Sequence, residues 1–260
     1  MSSSALSVSD LAAKLFVQRA MESSNSPKSV LSFFFGLDFT APSDEYKPAM
    51  RDGLPLREMQ GIWYGGGNDY DKMCQAFIPT IRSVVGDRKG LREKMPDEYK
   101  LWNDSVDGIM SQVLLCDQLT RNAFRGTEEA FQYDTVGEEL VRQLVDDFFQ
   151  DNPQSQSVPG EIYPPYVSFM VTALMHSENV ENLNLASDLL AASIQRFKDR
   201  EIAMNSLKFQ VGFLEDHRSI IDRFGRYPHR NSKLGRENTT EEQAWLEDKE
   251  KLPVWAKSQG

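Results

Sequence analysis

Three histidines, His176, His217 and His229, stand inside or beside the most polar stretches of this 260-residue chain. Imidazole is the side chain that most readily exchanges a proton near neutral pH. The richest stretch is Phe224-Gly225-Arg226-Tyr227-Pro228-His229-Arg230-Asn231-Ser232-Lys233-Leu234-Gly235-Arg236. From His217 to Arg236 there are six basic residues (Arg218, Arg223, Arg226, Arg230, Lys233, Arg236) against one acid, Asp222. The whole chain holds 29 Lys and Arg against 39 Asp and Glu, so everything outside this stretch is strongly acidic. A positive segment in such a protein marks a place where negative charge sits, either a ligand or the protein's own carboxylates. Arg226, His229, Arg230 and Arg236 offer many donors and almost no acceptor. Burying them is costly unless negative charge matches them. Glu178, Asp117 and Asp222 supply part of the match, and a bound anion would supply the rest. His229 or His217, oriented by Glu178, is the expected acid–base pair. Arg226, Arg230, Asn231 and Arg236 are the expected ligand contacts, together with His176.

A second group follows four-residue spacing: Asp117, Arg121 and Arg125. On a helix Asp117 and Arg121 share a face and can pair. Two readings apply. One is a forked guanidinium aimed at a carboxylate or phosphate. The other is a buried ion-pair network that fixes the turn between two helices. Packing is favoured for Asp117 and Arg121, Arg125 is open, and all three stay among the ligand-contact candidates. Ser177 lies between His176 and Glu178, but neighbouring residues on a helix point apart and cannot make a triad. Cys116 sits on an apolar face and reads as packing. There is no His pair at i, i+4 and no His-Glu-x-x-His, so neither a metal nor a cofactor is expected.

Helices must position these groups. Period-two strand patterns bounded by Asn-Gly or Asp-Gly are absent. The spacing predicts a first helix over about residues 8–22 and a second from Ser26 and Pro27 to Gly36. Residues 37–67, rich in Pro and Gly, read as a long loop. A helix over about 68–85, kinked at Pro79, precedes a polar connector at 86–95. Pro96 opens a helix to about Leu119, and Thr127 caps one to Phe149. A polar linker at 150–161 leads to helices at about 163–176, 179–198 and 201–224, the last stopped by Gly225. Thr239 and Glu242 have the spacing of a capping box for a final helix. The sum is an all-α bundle of eight or nine helices in antiparallel pairs. Residues 1–25 form a tail and appended first helix, and 26–257 one helical domain.

The chain resembles the domain-of-unknown-function family number 924, known chiefly from bacterial proteins. Val30-Leu31-Ser32-Phe33-Phe34-Phe35-Gly36 is similar to that family's opening block, and Trp63-Tyr64 and Tyr70-Asp71 to its next pair. Leu115 to Thr127 matches the central block, with Thr120 where Pro is usual. His176-Ser177-Glu178 matches a short element, and Phe224 to Arg236 with Thr239, Glu241 and Glu242 the last block. The likeness covers about residues 28–250. It implies a tetratricopeptide-like stack of helices and no particular activity.

Bulk properties exclude some classes. A net charge of −10 disfavours a nucleic-acid or anionic-membrane binder, and no apolar run reaches the roughly 18–20 residues of a membrane span. Two distant cysteines, Cys74 and Cys116, read as reduced thiols of an intracellular, cytoplasmic protein. Residues 1–21 loosely resemble an organelle transit peptide, although an ordinary amphipathic helix fits better. The expected function is an Arg/His-lined pocket for a small carboxylate or phosphate, with histidine acid–base chemistry as an extension. The alternative is a tetratricopeptide-like scaffold holding a peptide or protein partner.

Overall fold

A computed structural model describes residues 26–149, 158–250 and 252–259; the expected first helix over 8–22 and most of the 150–161 linker lie outside them. The described residues are helical and contain no strand. The elements are α1 (Pro27–Phe35), α2 (Ser43–Asp52), α3 (Leu54–Glu58), α4 (Gln60–Trp63), α5 (Gly67–Gln75), α6 (Ile78–Thr80), α7 (Arg88–Lys94), α8 (Pro96–Asn103), α9 (Val106–Leu114), α10 (Thr120–Ala123), α11 (Asp134–Phe148), α12 (Pro164–Met175), α13 (Val180–Arg196), α14 (Glu201–Phe224), α15 (Thr240–Glu247) and α16 (Val254–Gln259). Two π turns, Ile81–Val85 and Leu115–Leu119, and two 3-10 turns, Glu128–Phe131 and Pro228–Arg230, complete the set.

The expectation of eight or nine helices was too low, because breaks divide the long ones and residues 37–67 are themselves helical. Pro48 lies inside α2 rather than ending it. Pro48 and Asp44 are both exposed, so the Asp44 carbonyl that loses its donor meets water. Pro79 has no N–H for the carbonyl of Gln75, and α5 stops at that residue. The expected connector at 86–95 is α7, capped by the Asp87 carboxylate accepting from the Gly90 N–H at 2.9 Å. Ser105 breaks the expected 96–119 helix by adopting extended backbone and capping α9. Thr127 opens only a 3-10 turn, and α11 starts at Asp134.

Other ends follow their local signals. α1 begins with a reciprocal Ser26–Ser29 capping box, and α15 with the Thr239–Glu242 box. α14 ends at Gly225, whose φ of 71° is cheap without a Cβ. Its buried stripe is Ala203, Leu207, Gln210, Leu214, His217 and Ile221, the alternating three- and four-residue step of a core-facing helix. Two polar residues sit in that stripe. Gln210 satisfies itself on α12, donating to the Ser168 carbonyl at 2.7 Å and to Thr172 Oγ1 at 2.9 Å.

α12 is apolar on nearly every side and packs against α9, α11, α13 and α14. α1 lies across α9, and the first π turn lies beside the second. Helix lengths run from three to 24 residues, so no uniform repeat unit is evident. At one end of α12 the chain turns through His176-Ser177-Glu178 into α13, and the 225–239 segment folds back onto that turn.

Candidate functional site

The second π turn carries the site's first residue. α9 runs into Leu115–Leu119, where an i→i+5 turn widens the helix and shifts the phase of α10 relative to α9. Thr120 donates its hydroxyl back to the Cys116 carbonyl. α11 crosses closely at Gly137, where a Cβ would stand 3.1 Å from the Cys116 Cβ. The result is a buried Asp117 facing the end of α12.

Asp117 Oδ1 accepts from His176 Nδ1 at 2.6 Å and lies 3.3 Å from Arg121 Nη2, while Gln118 donates to Oδ2. Burial by itself would raise the Asp117 pKa, but His176 and Arg121 outweigh it and hold the carboxyl well below its usual range. A carboxylate on Nδ1 fixes the His176 ring and leaves Nε2 as the basic nitrogen of the neutral form. His176 is partly open to solvent and the aspartate is not.

Asp134, at the start of α11, joins a second layer. Arg121 Nη2 reaches it at 2.8 Å and Arg230 Nη1 at 3.3 Å, and Arg121 Nη1 also donates to the Ala130 carbonyl. Both guanidiniums lie over the Phe131 ring, each 4.8 Å from its centroid, and Arg230 also covers Tyr227 at 4.6 Å. Arg230 is buried, and its Nε has no hydrogen-bond acceptor among the described residues. Burial and the neighbouring Arg121 charge lower its proton affinity.

The two other histidines complete a ring of planar groups. His217 Nδ1 donates to the Phe213 carbonyl at 2.7 Å, one helical turn back, and its ring stacks on Trp255 with centroids 4.0 Å apart. His229 stands 5.3 Å from Trp255 and 5.7 Å from Tyr227, with its Nδ1 buried and unpartnered among the described residues. His176 and His217 are 5.8 Å apart. Burial drives the pKa of His217 down to about 3 and that of His229 down to about 2, so both rings are neutral. Tyr227 anchors the segment by donating its hydroxyl to the Met175 carbonyl at 2.6 Å.

Asp117, Arg121, His176, His217, His229 and Arg230 therefore converge. The remaining expected residues do not share their situation. Arg125 pairs with Asp71 at 2.8 Å, Arg226 with Glu242 at 2.7 Å, and Arg236 with Glu178 at 2.8 Å. The crowd of arginines short of counter-charge reduces to Arg230, because each of these three has a carboxylate fork of its own. Glu178 orients no histidine. Both its oxygens serve Arg236, and Oε1 also accepts from the Tyr227 N–H at 2.9 Å, so it ties down the 225–236 segment. The carboxylate that orients a histidine is Asp117. Asn231 is buried and donates to Asn238 Oδ1 at 2.8 Å, within its own loop.

Three contributors were not foreseen: Asp134, Tyr227 and Trp255. An acid in the first turn of a helix ordinarily reads as a dipole partner, which hides Asp134. Tyr64 is 79% open to water and makes no hydrogen bond or ring contact with this cluster among the described residues. No group of three or more His, Cys, Asp or Glu among the described residues converges on a metal position, and no described helix is long and apolar enough to cross a membrane.

The family described as "Bacterial protein of unknown function (DUF924)" matches residues 30–250. No curated protein matches the chain. Among solved structures, a protein of unknown function from Agrobacterium tumefaciens is similar in fold, with a TM-score of 0.51 and 23% identity over 78% of this chain and 99% of that one.

Proposed function

This chain belongs to the DUF924 family, and from that premise we propose that it binds a small carboxylate- or phosphate-bearing ligand beside Asp117, His176 and Arg230, with His176 as the acid–base group. The observation that carries the reading is Arg230. It is a buried guanidinium that shares Asp134 with Arg121 at a long 3.3 Å and keeps an Nε without an acceptor among the described residues. Such a donor favours an incoming anion, because desolvation has already been imposed on it by the fold. Asp117 supports the acid–base role. Held ionised, it fixes the proton on His176 Nδ1, so Nε2 is free to take a proton from a bound ligand, and it steadies the imidazolium that results. Neutral His217 and His229 back the cluster from the buried side as polar groups that carry no charge of their own.

The test is thermal melting with phosphate and with short carboxylates. The unmodified protein should be stabilised, and Arg230→Ala should melt near the same temperature without ligand yet gain nothing on addition, since Asp134 keeps Arg121. His176→Gln should retain the ligand-induced shift and lose proton exchange or turnover. Equal ligand stabilisation of Arg230→Ala and the unmodified protein would remove Arg230, and the reading with it.

A further inference from the structure

The last described helix, α16, lies outside the residues matched by the family, 30–250, yet it packs on the 3-10 turn Pro228–Arg230 that carries two of the site's residues. Its Trp255 is the closest ring partner of His217, with centroids 4.0 Å apart and planes 19° apart. The same indole meets Tyr227 and His229 edge-on, at 5.9 and 5.3 Å. One flat side chain from the end of the chain is thus surrounded by three planar residues of the histidine cluster. Those neighbours present a stacking face and two edges, the arrangement that any flat aromatic group would take up.

α16 is too short to hold its shape alone. It has six residues, far below the roughly 12–15 at which an isolated helix becomes marginally stable. Of the side chains described on it, Trp255 and the buried Ala256 face the protein, while Val254 and Lys257 face water. No ion pair of the described residues joins α16 to the rest of the chain. By contrast, the neighbouring 225–242 segment is fastened by the Arg226–Glu242 and Arg236–Glu178 forks.

We propose that Trp255 is a ligand the protein supplies to itself: α16 holds an indole against His217 and His229 where the ring of a planar aromatic acid binds, its carboxylate toward Arg230. This rests on the anion reading of the Asp117–His176–Arg230 site and names its ligand class. A ligand with a ring must displace the indole, whereas a carboxylate without one does not compete for the place the indole fills. The strap therefore sets a threshold that only flat acids have to overcome.

Benzoate and acetate are the probes, with binding followed by calorimetry on the full chain. Trp255→Ala should bind benzoate about tenfold more tightly than the unmodified protein, the gain expected if the strap is closed about nine-tenths of the time. Acetate affinity should be unchanged, and Arg230→Ala should abolish binding of both. If acetate binding depends on Arg230 but benzoate affinity is the same with and without Trp255, the strap is overturned and the anion site stands. If neither acid shows Arg230-dependent binding, both readings fall. Should Trp255→Ala not fold, the unmodified chain still decides. Benzoate, and not acetate, should speed tryptic cleavage at Lys257 severalfold by lifting α16, and an unchanged rate overturns the proposal.

Discussion

Two clusters of rings in this protein are packed alike and partnered differently. Around Phe34, the rings of Phe35, Trp63 and Phe169 lie at 5.2, 5.0 and 4.7 Å, and the one polar group among them, the Trp63 indole N–H, donates to the Phe34 carbonyl at 2.9 Å. Around His217, the rings of Trp255, Tyr227 and His176 lie at 4.0, 5.8 and 5.8 Å, beside the buried Arg230, whose Nε, like His229 Nδ1, has no partner among the described residues. The first cluster can only lower the free energy of the folded chain. The second imposes desolvation on groups that it does not fully satisfy, and such tension is concentrated where a protein meets something other than itself.

The largest expected effect lies in the first cluster. Phe34→Ala should destabilise the protein by about 3–5 kcal/mol in urea unfolding, through lost burial and the cavity left behind. A loss as small as that of a surface substitution would break the contrast. In the second cluster Asp117→Ala should cost about 3 kcal/mol, because it strands buried Arg121 and frees His176, though Arg121 keeps Asp134. Asp117→Asn should recover part of that loss, since the amide oxygen can still accept from His176.

Acid should separate the clusters next. His217, facing His176, Arg230 and Asp117, and His229, facing Arg230, His217, His176 and Arg121, titrate at about 3 and about 2 when folded, against an ordinary value of 6.5. Below pH 6.5 the unfolded chain binds more protons than the folded one, so stability is full above that pH and falls as pH drops toward the folded values. The slope is up to about 1.4 kcal/mol per pH unit for each histidine. Unfolding measured at pH 7.5, 6.5 and 5.5 should show this slope, and replacing both histidines by Gln should flatten it. Phe34→Ala should instead shift the whole curve with its slope intact. The smallest effect should be that of Thr239→Ala, about 1 kcal/mol from the α15 capping box, with the Asp117–His176 contact unmoved.

Helix ends and faces were largely legible in the residues. The stripe of α14, its stop at Gly225 and the Thr239–Glu242 box are local patterns, written within a few turns of sequence. Residues 37–67 misled because Pro42, Pro48 and Gly53 read as breakers, while Pro48 is tolerated where its orphaned carbonyl is solvated. Partnerships were less legible, since they cross the fold. His176 and Asp117 are 59 residues apart, and Arg230 and Asp134 are 96 apart. Glu178, next but one to His176, was the natural guess for its neighbourhood, and it went to Arg236 instead. Nothing in the spacing of the acids says which of them will meet an imidazole.

The π turn at Leu115–Leu119 also constrains how this chain can vary. Taking one residue out of it would restore an unbroken α-helix, a gain in local regularity, and would rotate the preceding segment by about 100° against the following one. Asp117 and Arg121 would then no longer face His176 and Asp134 together. A shortened descendant of this protein would thus keep a sounder helix and lose the contact between Asp117 and His176. Insertions and deletions in that stretch are where inheritance of the fold and inheritance of the site part company.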